Sequence, residues 1–154
     1  MNLSTALRSP RAELGGYVIL PRVIDKVRLN SRGLLPQEYV RNLLGSSATT
    51  LDGRLLEFTG LDGEALKERI LSVDSDEAVL DWIESCARPH SAAEKQEWSR
   101  QIESYRADQA RLMFRKEVYP DLARQVDVGA LNVFDLIDID EGRIPIPNQV
   151  ERAR

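Results

Sequence analysis

Cysteine and histidine are almost missing from this sequence: 154 residues contain one of each, Cys86 and His90. A lone thiol cannot close an internal disulfide, which fits a reducing compartment. Two soft donors fall short of the three or four protein ligands that a zinc site takes, so no metal is expected. A Cys–His hydrolase would want an oxyanion glycine motif beside Cys86, and none adjoins it. Also missing are Gly-x-Ser-x-Gly, a phosphate-cradling loop and a dinucleotide fingerprint, so no cofactor is expected. No apolar run approaches the roughly 20 residues of a membrane span. The first ten residues carry Arg8 but no apolar stretch behind it, so no secretory signal is expected and residence should be cytoplasmic.

The rest of the composition is ordinary. Hydrophobic residues make up 42% and charged ones 30%, which excludes a disordered or collagen-like chain. The length suits a single helical domain over 1–154, with residues 1–20 as an N-terminal arm and 143–154 as a C-terminal tail. Net charge is −4 and pI about 5.1, so the whole molecule is not a nucleic-acid binder by composition. The charge is unevenly placed: +4 over residues 1–32, −7 over 33–97 and −1 over 98–154. A basic head on an acidic body either attracts an anion or neutralises the body within the fold.

Helical periodicity dominates, and the reading is all-α: a bundle of about seven helices. Tyr17-Val18-Ile19-Leu20 is the one β-like run, and it leads straight into Pro21, which suits a first helical turn. Val23, Ile24 and Val27 then form one face, with Arg22, Asp25, Lys26 and Arg32 opposite, and Gly33 ends the helix. Pro36 opens a short helix holding Val40, Leu43 and Leu44, and Gly45 closes it. Leu51, Leu55 and Phe58 recur at helical spacing up to Gly60. Asp62 caps the next helix, and Asp74 with Glu77 forms a carboxylate capping box for one carrying Val79, Leu80, Ile83 and Cys86. Ser91 caps the longest helix, expected over 92–117, with Trp98, Ile102, Tyr105, Gln109 and Leu112 on one stripe. At 1.5 Å per residue it would run about 39 Å. Pro120 starts a short helix through Val126, and Asn132 caps the last one.

Chemistry concentrates in residues 8–28. Gly15-Gly16 permits positive φ and close backbone approach. Arg22, Asp25 and Lys26 share one turn, with Asp25 able to pair with Arg22 or Arg28. One reading is an anion pocket in which Arg22 and Lys26 donate, Asp25 orients them and Tyr17 adds a hydroxyl. The other is a glycine turn tied to the bundle by ion pairs. The acidic run Asp135, Asp138, Asp140, Glu141 lacks the oxygen spacing of a calcium loop. It is expected to solvate a helix end or meet the basic head.

Ser9-Pro10-Arg11, Leu14-Gly15-Gly16-Tyr17, Leu20-Pro21-Arg22 and Asp25-Lys26 form a series that resembles a family of small bacterial proteins grouped as a domain of unknown function. Leu51–Gly60 and Glu97-Trp98-Ser99 are similar to it as well. The resemblance implies a bacterial cytoplasmic protein and draws attention to Tyr17, Arg22, Asp25 and Lys26. It brings no activity to carry over.

Three functions fit these residues. The first is a binding module that takes a small anionic ligand or an acidic protein segment through the basic N-terminal helix, using Tyr17, Arg22, Asp25 and Lys26. The second is a small enzyme acting on an anionic metabolite, with Asp25 as acid or base and Tyr17 as proton donor. The third is an assembly protein using an exposed apolar edge of the long helix.

Overall fold

The computed structural model describes residues 3–45, 50–104 and 109–146. Its elements are α1 (Leu3–Ala6), β1 (Glu13–Leu14), β2 (Tyr17–Val18), α2 (Leu20–Ser31), α3 (Gln37–Val40) and α4 (Leu51–Thr59). They continue with α5 (Gly63–Ser72), α6 (Asp76–Cys86), α7 (Ala92–Ser104), α8 (Gln109–Val118), α9 (Pro120–Ala123) and α10 (Val133–Asp140). The chain folds as an all-α domain with one minimal hairpin. No described helix is long and apolar enough to cross a membrane.

Local chemistry sets most boundaries. Side-chain oxygens take the exposed N–H groups of a first turn at Thr50 (to Gly53, 3.0 Å), Asp62 (to Ala65, 3.0 Å) and Asn132 (to Asp135, 2.8 Å). Ser91 and Glu94 form a reciprocal capping box, at 3.1 and 2.9 Å. Gly33, at φ 70°, closes α2 in a Schellman motif: its N–H reaches Asn30 O, and Leu34 N–H reaches Leu29 O.

Several details differ from the expectations. Ser75, not Asp74, caps α6, accepting from Ala78 N–H at 3.2 Å; a one-residue shift puts the hydroxyl at the right offset. Cys86 is exposed rather than inside, because it falls in the last turn of α6 beyond the buried Val79 and Ile83. The Pro36 helix ends at Val40, leaving Leu43 and Leu44 in turns, and the Pro120 helix ends at Ala123. The helix expected over 92–117 is described as α7 and α8 on either side of 105–108, which lie outside the described residues, Tyr105 among them.

The N-terminal arm holds the hairpin. Glu13 pairs with Val18 and Leu14 with Tyr17, across Gly15 (φ 59°) and Gly16 (φ 86°). Positive φ at both central residues suits a tight two-residue hairpin turn. A Cβ on Gly15 would lie 2.5 Å from Leu80 Cδ1, so the turn sits directly against α6.

The main core joins the hairpin, α2, α4, α5, α6, α7 and α10 through Tyr17, Ile19, Val23, Ile24, Leu55, Leu66, Ile70, Val79, Ile83, Ile102 and Phe134. A second cluster gathers Leu122, Val126, Val128, Leu136 and Ile139, and a third gathers Leu7, Leu29 and Leu35. The α2 helix is buried on more sides than its pattern predicts, since Arg22 and Lys26 are buried along with its apolar face. Their partners lie far along the chain, where periodicity gives no sign of them.

Candidate functional site

The start of α2 is under strain. Ile19 precedes the helix at φ 75°, and a β-branched residue adopts that region only when its surroundings force it. The surroundings do so here. Ile19 is fully buried, its N–H donates to Pro10 O at 2.9 Å, and its carbonyl accepts from Val23 N–H at 3.0 Å.

From that fixed start α2 projects Arg22 inward. Its side chain is 4% exposed, and its guanidinium grips the Glu141 carboxylate through two parallel hydrogen bonds, 2.9 and 2.5 Å. Glu141 also accepts from Arg143 at 2.6 Å and from the Tyr39 hydroxyl at 2.9 Å. Burial alone would push the Glu141 carboxyl up. The hydrogen bonds from Arg22, Arg143 and Tyr39, with the guanidinium charge, hold it below its ordinary range instead.

One turn on, Lys26 Nζ donates to both Asp52 oxygens at 2.8 and 2.9 Å, and both side chains are buried. Asp52 also accepts from Leu44 N–H at 2.9 Å, a residue at φ 51°.

Asp25 pairs with neither Arg22 nor Arg28. Arg8 takes it instead, with its backbone N–H (2.8 Å), Nε (3.0 Å) and Nη2 (3.1 Å). Arg8 also reaches Asp76 at 2.6 Å, where Arg28 arrives at 3.5 Å. The i+3 partner on the helix loses to an arginine that the arm folds back onto α2. Tyr17 is fully buried, with the Lys95 ammonium 4.2 Å above its ring and the Phe58 ring edge-on at 6.2 Å. Burial, then the charge of Glu84, pushes its phenol up. Lys95 itself is anchored to Gly15 O at 2.8 Å and Glu84 at 3.0 Å.

The acidic run does meet the basic head. Arg11 bonds Asp135 at 2.6 Å, Asp138 at 3.1 Å and Glu103 at 3.1 Å, and Ser9 donates to Asp138 at 2.9 Å. Among the described residues, no three of His, Cys, Asp and Glu gather as a metal cluster.

Beside the buried pairs lies a cavity of about 160 Å³. Its apolar wall comes from Ile19, Leu51, Ile102, Phe114, Val133, Leu136 and Ile137. Its polar wall holds Arg22, Lys26, Arg54 and Arg115, with Asp52 as the one carboxylate, plus Tyr39, Asn42, Thr50 and Tyr119. Glu141, just behind Arg22, pairs with its guanidinium, as Asp52 pairs with Lys26. Arg115 is held in place by the carbonyls of Val128 (2.7 Å) and Leu131 (2.9 Å).

The Tyr119 hydroxyl has no hydrogen-bond partner among the described residues. Burial and the charges of Asp140 and Glu141 push its pKa up to about 12. It therefore stays protonated at neutral pH and is a donor rather than a base.

Of the four residues singled out in the sequence, the structure brings Arg22 and Lys26 into this wall. Tyr17 and Asp25 belong neither to it nor to the second cavity described below. Arg54, Arg115 and Tyr119 were missed. Only Arg54 had a signal, since it lies in the Leu51–Gly60 stretch. On α8, Met113, Phe114 and Val118 are exposed, with Phe114 also in the cavity wall.

Fold and site together define a small all-α domain with a cavity that carries cationic side chains in its wall. The chain matches the family described as Domain of unknown function (DUF5069) over residues 4–143 and belongs to it. A search of curated proteins finds no match.

Proposed function

We propose that this domain is a binding module for a small organic anion with an apolar body, working in a bacterial cytoplasm. One observation carries the reading: a largely apolar cavity with four cationic side chains and one carboxylate in its wall. An apolar guest gains burial there, and its charge meets guanidinium and ammonium donors along the polar wall. A volume of about 160 Å³ suits a guest about the size of benzene and favours a small molecule over an acidic peptide. Tyr119 supplies a neutral donor, and Arg22 and Lys26 are already held rigid by Glu141 and Asp52, so ordering costs little on binding. Support for the compartment comes from the lone, exposed Cys86 and from the family resemblance.

The test is calorimetry with isovalerate and its uncharged amide. Isovalerate is expected to bind and the amide to bind at least tenfold more weakly. Tyr119→Phe and Arg54→Gln should each weaken isovalerate. Loss of a hydrogen bond to a charged group is worth about 1.5–3 kcal/mol, or roughly tenfold or more in affinity. Equal binding of acid and amide, or wild-type affinity in both variants, would remove the proposal.

A further inference from the structure

Arg54 and Ile102 belong to two cavities at once. On their far side lies a second one, of about 480 Å³. Beyond sharing these two side chains, it is separate from the site proposed above.

Its wall contains a column of three parallel rings. His90 stacks on Phe58 at 3.8 Å and 12°, and Trp98 stacks on the other face of Phe58 at 4.5 Å and 7°. The column is pinned at His90, whose Nε2 donates to Phe58 O at 2.8 Å. Its Nδ1 makes no hydrogen bond, although Glu94 Oε2 lies 3.5 Å away. Phe58 is covered on both faces, so only the ends and rims of the column remain for a guest.

The polar part of the wall holds Arg54, Arg88, Glu57 and the Gln101 amide. Arg88 has no acidic partner among the described residues, yet it is not loose. Its N–H donates to Thr59 O at 2.8 Å, and its guanidinium occupies the space beside Gly60, 3.1 Å from where a Cβ would stand.

We infer that this second cavity binds a flat-ringed organic anion, its ring against an end of the His90–Phe58–Trp98 column and its charge on Arg88. A ring at an end of the column rewards a flat guest through dispersion across its outer face, which a puckered ring cannot match. A guanidinium with no carboxylate of its own offers paired donors to an incoming one. A neutral flat ring lacks the second contribution and a puckered acid lacks the first.

The test follows the imidazole signals of His90, the only histidine, and the Trp98 indole signal, identified by its persistence in Trp82→Phe. Benzoate, cyclohexanecarboxylate and benzamide are titrated into the intact chain. Benzoate should shift both signals saturably, and the other two should bind at least tenfold more weakly. Arg88→Ala and Arg88→Gln, at an exposed position, should each weaken benzoate at least tenfold. The shifts should persist in saturating isovalerate, whether or not isovalerate fills the first cavity. Unmoved signals, wild-type affinity in both Arg88 variants, equal binding of cyclohexanecarboxylate, or displacement by isovalerate would each overturn the inference.

Discussion

Glu141→Gln removes one charge and little volume from a buried carboxylate that accepts four hydrogen bonds. The carboxylate side chain is 2% exposed and receives Arg22 twice, Arg143 once and Tyr39 once. Glutamine keeps one acceptor oxygen and places an amide N–H₂ against the Arg22 guanidinium, which stays buried with its charge uncompensated. Breaking a buried pair in this way costs about 3–5 kcal/mol, and the retained acceptor argues for the lower end, about 3 kcal/mol. In a chain of this length each kcal/mol is worth about 2–4 °C, so Tm should fall by about 6–12 °C at pH 7.

The same variant carries a pH signature. The folded-state pKa of Glu141 lies below its ordinary value, so the unfolded chain binds its proton first as pH falls. The contribution is therefore fully present above the unfolded value of about 4.3 and is lost as pH drops towards the folded one. Urea denaturation of both proteins from pH 7 to pH 3 should show a stability gap that is widest at pH 7 and narrows below about pH 5. A gap under about 1 kcal/mol at pH 7, or one that stays constant into acid, would refute the reasoning.

Two further substitutions probe other parts of the fold. Lys26→Met leaves Asp52 buried with Leu44 N–H as its remaining described partner and should cost about 3–5 kcal/mol in chemical denaturation. Adding Asp52→Leu to that variant should recover a large share of the loss, because no charge then stays buried. Gly15→Ala puts a Cβ at φ 59° and 2.5 Å from the Leu80 side chain, so it should destabilise by at least about 1 kcal/mol. Gly33→Ala, with φ 70° but open space, should cost less, and the difference between the two measures the crowding.

Much of the helical layout was legible because its signals are local. Pro21, Asp62, Ser91, Asn132 and the glycines at 33 and 60 act within a few residues of themselves. Asp74 misled because Ser75 next to it has the same capping chemistry at a better offset. The hairpin escaped because its strands are two residues each, too short for alternation to register.

Long-range chemistry was only half legible. Arg22 and Lys26 stood out by type, yet their burial depends on Glu141 and Asp52, which are 119 and 26 positions away. Arg54, Arg115 and Tyr119 join the cavity from α4, α8 and the start of α9. No spacing rule links those three segments; only packing does.

The cavity account is tested most directly by locating a guest. Filtered NOE spectra of labelled protein with unlabelled isovalerate should show contacts from the ligand methyls to Ile19, Leu136 and the Tyr119 ring. Ligand contacts confined to residues outside that wall, or none at concentrations where calorimetry saturates, would contradict it.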